Sequence, residues 1–121
     1  MNKLLTLALS MSLVGCASFN PPAEWAKEDT QREAAFLTVD AMDWSQTLKI
    51  AQHPELYETN PILGMHPTNA AINSYFIVGA VTHYAIAQAL PPKQRKYFQV
   101  GWTIIEVWVV IQNLGYGLAL F

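Results

Sequence analysis

Residues 70–121 read AAINSYFIVGAVTHYAIAQAL, then PPKQRK, then YFQVGWTIIEVWVVIQNLGYGLALF. The first block carries no charged residue and stops at Pro91-Pro92, and the last carries one, Glu106. A helix needs about 20 residues to cross a hydrocarbon core of about 30 Å, and each block is long enough. Asn73, His83, Gln88, Gln112 and Asn113 dilute both, yet the turns from Phe76 to Thr82 offer almost no polar face. A soluble helix normally keeps a polar face along its length. The pattern predicts an antiparallel hairpin of two long apolar helices, over about 68–90 and 93–120, and favours a membrane-spanning pair. A bundle that packs without crossing a membrane remains the alternative.

Upstream, Leu37, Ala41, Trp44, Leu48 and Ala51 recur at helical spacing, with Asp40, Asp43 and Thr47 in a second stripe beside them. An amphipathic helix over about 30–53 follows, with the apolar stripe buried and Gln46, Lys49 and His53 turned to water. Thr30 and Glu33 suit a capping box at its start. Pro54, Pro61, Gly64 and Pro67 then break the pattern. Asn60-Pro61 reads as the start of one short turn closed by Gly64, and Thr68 as the next cap. Residues 17–29, with Pro21 and Pro22, have no apolar period and read as a tether. The fold class is therefore all-α, with a tether over 16–29 and a single helical domain over 30–121.

The N-terminus is an address. Lys3 precedes an uncharged, mostly apolar run over 4–13, too short to span a bilayer, followed by Val14, Gly15 and Cys16. This is the layout of a signal peptide, residues 1–15. Leu13-Val14-Gly15-Cys16 resembles the lipobox of bacterial lipoprotein precursors. That resemblance implies cleavage before Cys16, a diacylglycerol on its thiol, and further acylation, palmitate included, of the new amino end. Each buried methylene contributes about 0.8 kcal/mol, so two or three chains anchor a protein stably. No other cofactor is expected.

An anchor of this kind lies on the extracytoplasmic side of the cell envelope. If both apolar blocks span, the link over 91–97 is then cytoplasmic. Its Lys93, Arg95 and Lys96 come without an acid, whereas 17–69 holds Lys27, Arg32 and Lys49 against eight acids. That asymmetry agrees with the tendency of Lys and Arg to stay inside. Ala17 after the cysteine would direct an enterobacterial lipoprotein to the outer membrane. The apolar hairpin argues for the inner membrane, which is slightly favoured.

Composition excludes several function classes. Charged residues make up 13% of the chain and the net charge is −2, so the cationic surface that a nucleic-acid binder needs is missing. One cysteine excludes an intramolecular disulfide and a multi-cysteine zinc site. No Gly-rich phosphate loop, His-Glu-x-x-His or Gly-x-Ser-x-Gly motif is present. The candidate polar cluster is Asp43, Gln46, Thr47, Glu58, Asn60, His66, His83, Glu106 and Asn113. In a hairpin turning at the link, His83 and Glu106 fall at similar depth, which predicts a hydrogen-bonded pair. Gly79, Gly101, Gly115 and Gly117 offer small residues where helices approach.

Asp43-Trp44-Ser45-Gln46-Thr47 and Glu58-Thr59-Asn60-Pro61-Ile62-Leu63-Gly64 together resemble a small family of bacterial and phage membrane proteins, over residues 43–113. The resemblance implies a polar helix followed by a helical hairpin, and brings no chemistry with it. The expected function is a small envelope interaction or accessory protein. Its partners would be membrane lipid and either a second membrane protein or another copy of itself. Two alternatives stay open: a membrane-embedded enzyme or cation site built from Asp43, His66, His83 and Glu106, and a phage-type envelope modifier.

Overall fold

The computed structural model describes residues 23–121. Cys16, the expected signal peptide and most of the expected tether lie outside them. The described chain is all-helical, with α1 over Lys27–Gln52, α2 over Asn69–Ala89 and α3 over Pro92–Gly115.

Helix α1 begins three residues before the expected start. Its first turn is held by Asp29, whose carboxylate accepts the Ala26 N–H at 3.0 Å, while Glu28 and Asp29 face the positive end of the helix dipole. Thr30 therefore lies inside the helix, and Glu33 is free to point inward. For α2, Thr68 is the cap, its hydroxyl accepting the Ala71 N–H at 3.2 Å. Between α1 and α2, the Asn60 side chain accepts the Ile62 N–H, and its carbonyl accepts the Leu63 and Gly64 N–H groups. Gly64 closes that turn at φ 75°, a conformation costly for other residues.

Pro92 opens α3, as its missing N–H permits. The helix ends at Gly115 rather than near 120. Gly117, at φ 84°, forms a Schellman turn: Leu118 N–H bonds the Asn113 carbonyl and Gly117 N–H that of Leu114. Leu118 folds back into the core.

The packing departs from a hairpin. Helix α1 packs along both other helices, while α2 and α3 scarcely touch. Arg95 pairs with Asp29 and Asn113 with Asp43, so α1 and α3 run parallel. Glu33 pairs with His83 and Trp44 with Asn73, so α2 runs antiparallel to α1. The link between α2 and α3 consequently sits beside the start of α1, where Arg95 bonds the Ala23 and Glu24 carbonyls.

The interior is also inverted relative to expectation. Among the described residues, the buried apolar side chains of Phe36, Ile50, Ile72, Phe76, Ala87, Val110, Leu118 and Pro67 are matched in number by buried polar ones: Asp29, Glu33, Asp40, Gln46, Thr47, His83, Arg95 and Gln99. On α1, the stripe expected to be buried opens outward at Leu37 and Ala41, and the polar stripe faces in. Gln46, assigned to water from the sequence, has no exposed surface. Polar side chains meet complementary partners on the neighbouring helices, so their burial leaves few hydrogen-bonding groups unsatisfied.

Helix α2 is the only described helix long and apolar enough, by composition, to cross a membrane. Helix α3 is not, because Gln99, Glu106, Gln112 and Asn113 lower the hydropathy of its apolar stretch.

Candidate functional site

Three polar groups occupy the interior at three heights. The first is at the link end. Arg95, fully buried, donates to Asp29 at 2.9 Å, to Ala87 O at 2.8 Å, to Leu90 O at 3.1 Å and to Ala23 O at 3.0 Å. It also lies over the Trp25 ring. Asp29 takes a second ion pair from Arg32. Burial alone pushes the Asp29 carboxyl up, but the Ala26 N–H, Arg95 and Arg32 outweigh it and hold it below the ordinary range. Gln99 donates to Asp29 O at 3.1 Å and to Glu33 at 2.9 Å and accepts from Arg32 Nε.

That network continues to His83. Its Nδ1 lies 3.0 Å from the Glu33 carboxylate, and its ring is stacked between Phe36 and Phe98. The expected His83–Glu106 bond is therefore replaced by a His83–Glu33 bond. The depth argument had α2 facing α3, whereas α1 supplies the partner for both helices.

At the loop end, Asn113 donates to Asp43 at 2.9 Å and to Gln46 at 3.1 Å. Gln46 in turn donates to the Val110 and Leu118 carbonyls, at 3.4 and 3.2 Å, satisfying groups that the end of α3 leaves open. Thr47 is buried on the same helix. Glu58 and Asn60 form a local pair, the Glu58 carboxylate accepting the Asn60 N–H at 2.8 Å. A small cavity of about 150 Å³ lies there against Glu58, Asn113 and Tyr116.

Between the two ends, Asp40, His83 and Glu106 line a cavity of about 620 Å³. Its other walls are largely apolar, including Phe76, Val78, Phe98 and Trp102.

Nine residues expected as one polar cluster are thus divided. Asp43, Gln46 and Asn113 meet, with Thr47 buried on the same helix as the first two; Glu58 and Asn60 order the loop; His83 and Glu106 line the cavity; His66 is exposed in the loop. Because His66 stands apart and His83 turns to Glu33, the four-residue cation site does not converge. Among the described residues, no group of three or more His, Cys, Asp or Glu side chains forms a candidate metal site. The glycines do not seat neighbouring helices either: a Cβ at Gly79, Gly101 or Gly115 would meet open space.

Sequence reasoning missed Asp29, Glu33, Arg95 and Gln99. A signal was present, since Arg95, Gln99, Thr103, Glu106, Val110 and Asn113 recur at spacings of four and three, a polar stripe on an otherwise apolar helix. Arg95 was masked by its place among the link's basic residues. Comparison with family models, curated proteins and solved structures gives no match to this chain.

Proposed function

We propose that this chain is an envelope lipoprotein whose three helices sit within the bilayer, acting as a membrane-anchored interaction or accessory protein. The observation that carries the reading is the inverted distribution of polarity. Residues 34–48 of α1, 70–89 of α2 and 97–115 of α3 include no exposed Asp, Glu, Lys or Arg. At 1.5 Å per residue, these faces are about 22–30 Å tall, comparable to a hydrocarbon core. Ile104, Ile105, Val107, Trp108 and Ile111 all point outward on α3. In water such a surface drives aggregation; in lipid, polar side chains belong inside the bundle, where they clasp helices together.

The low mean hydropathy of α3 fits this reading, because its polar residues form the inward stripe. With the interior occupied by clasps, the outward faces are the surface presented to a partner. The lipobox supplies the anchor. From Cys16 to Ala23 the chain reaches at most about 25 Å, so the anchor and the link share one side of the membrane. The loop over 53–68 lies on the other.

Metabolic palmitate labelling combined with carbonate extraction tests both parts. The expected outcome is a labelled protein, and an unlabelled Cys16→Ala variant that stays in the membrane pellet. An unlabelled native chain overturns the anchor. Release of the variant into the supernatant overturns the embedding.

A further inference from the structure

Three buried side-chain atoms among the described residues have no hydrogen-bond partner: Trp25 Nε1, His83 Nε2 and Glu106 Oε2. Two of the three belong to residues lining the same 620 Å³ cavity. Buried polar groups are nearly always satisfied, so two such atoms at one cavity mark a place where a ligand or water supplies the missing bonds. His83 is only 5% exposed. Glu33 accepts from Gln99 with its second oxygen and meets His83 Nδ1 with its first, which leaves Nε2 as the partnerless ring nitrogen. Asp40 and Glu106 add carboxyl acceptors, and the lining holds no Lys or Arg.

The rest of the cavity is largely apolar, with hydroxyl groups at Ser74, Tyr75 and Thr82. Phe36 and Phe76 are buried along it, while Val78, Ile86 and Trp102 are exposed at its rim, where α2 and α3 separate. Its volume lies within the range of about 300–1,000 Å³ usual for small-molecule sites. Apolar walls around a base that holds two carboxyl groups and no cationic side chain call for an aliphatic chain ending in a group that donates hydrogen bonds and carries positive charge.

We propose that this cleft binds an amphiphile with an ammonium head, the N–H groups meeting Glu106 and Asp40 beside His83 and the chain lying between α2 and α3. The proposal rests on the bilayer reading above, since the rim opens where lipid would be. A free alkylamine and the ethanolamine head of a phospholipid share this chemistry.

The test uses the full chain in phosphatidylcholine nanodiscs with three diazirine-bearing probes: a fatty amine, a phosphatidylethanolamine and a phosphatidylcholine. Adducts are mapped by mass spectrometry. The proposal expects amine or ethanolamine adducts concentrated on 74–86 and 98–102, displaced by dodecylamine but not by dodecanol. Whichever of those two probes labels identifies the source. Glu106→Gln and Asp40→Asn, shown to be folded by circular dichroism, should each reduce that labelling at least tenfold. Adducts from all three probes spread over Ile104, Trp108 and Ile111, with none in the cleft, overturn the site and leave the embedding standing. Absence of adducts on any helix overturns both.

Discussion

Arg95 is the residue on which the link end depends. It joins the start of α1, the end of α2 and the start of α3 through one guanidinium. Removing one partner of a buried ion pair strands the other charge, which costs about 3–5 kcal/mol. Asp29→Asn should therefore lower stability by that order, read by thermal unfolding in detergent, and Arg95→Gln by a similar amount. A change below about 1 kcal/mol in both would show that the pair is dispensable. The pair also sets an acid limit. Asp29 titrates below its ordinary value of 3.8, so its contribution is complete above that pH and is lost as pH falls through the lower folded value. The native protein should lose stability below about pH 4, and Asp29→Asn should remove that part of the acid dependence.

At the scale of elements, the end of α3 is secured from α1. Gln46 accepts from Asn113 and donates to Val110 and Leu118 carbonyls. Gln46→Leu leaves these groups buried without a partner, a cost of about 1–3 kcal/mol. Hydrogen exchange should then rise at 113–118 and stay unchanged at 95–103; uniform exchange along α3 would contradict a local clasp. The outward face of α3 gives a sharper contrast. Ile105 is half exposed. On a surface in water, Ile105→Asp would change stability by about 0.5 kcal/mol or less. On a lipid face it costs about 2.5–3.5 kcal/mol and should reduce membrane insertion severalfold. Normal insertion and stability of this variant would place that face in water.

Across the whole molecule, the parallel run of α1 and α3 fixes which ends share a side. Lys93 lies at the end where Ala23 meets the link, and His66 lies in the loop at the opposite end. A lipid on Cys16 therefore requires that Lys93→Cys react with a membrane-impermeant maleimide in intact spheroplasts and that His66→Cys not react. The reverse pattern would put the start of α1 in the cytoplasm and remove the anchor. The positive charge of Lys27, Lys93 and Lys96 at the link end pulls toward that reverse orientation. A lipid on Cys16 would have to overcome it, and the labelling experiment weighs the two directly.

Much of the architecture is legible in the chain itself. Apolar period, Pro91-Pro92, Thr68 and the Asn60–Gly64 turn mark three helices and their connections, because caps and breakers act within a few residues. Thr30 misled, since Asp29 takes the third helical position and reaches back to the Ala26 N–H, the role expected of Glu33 four residues later. Gly117 signalled the end of α3, but the apolar run continued past it. The candidate site was half visible: Gln46, Asp43 and Asn113 could be picked out as polar residues on apolar helices, but their partners could not. Helical period says which residues share a face; it does not say whether that face turns inward or outward. Only the packing of α1 against both other helices decided that the polar stripes meet and the apolar ones face out. That choice depends on whether hydrogen-bond partners lie at matching heights on different helices, a relation between residues 29 to 70 positions apart that no local pattern contains.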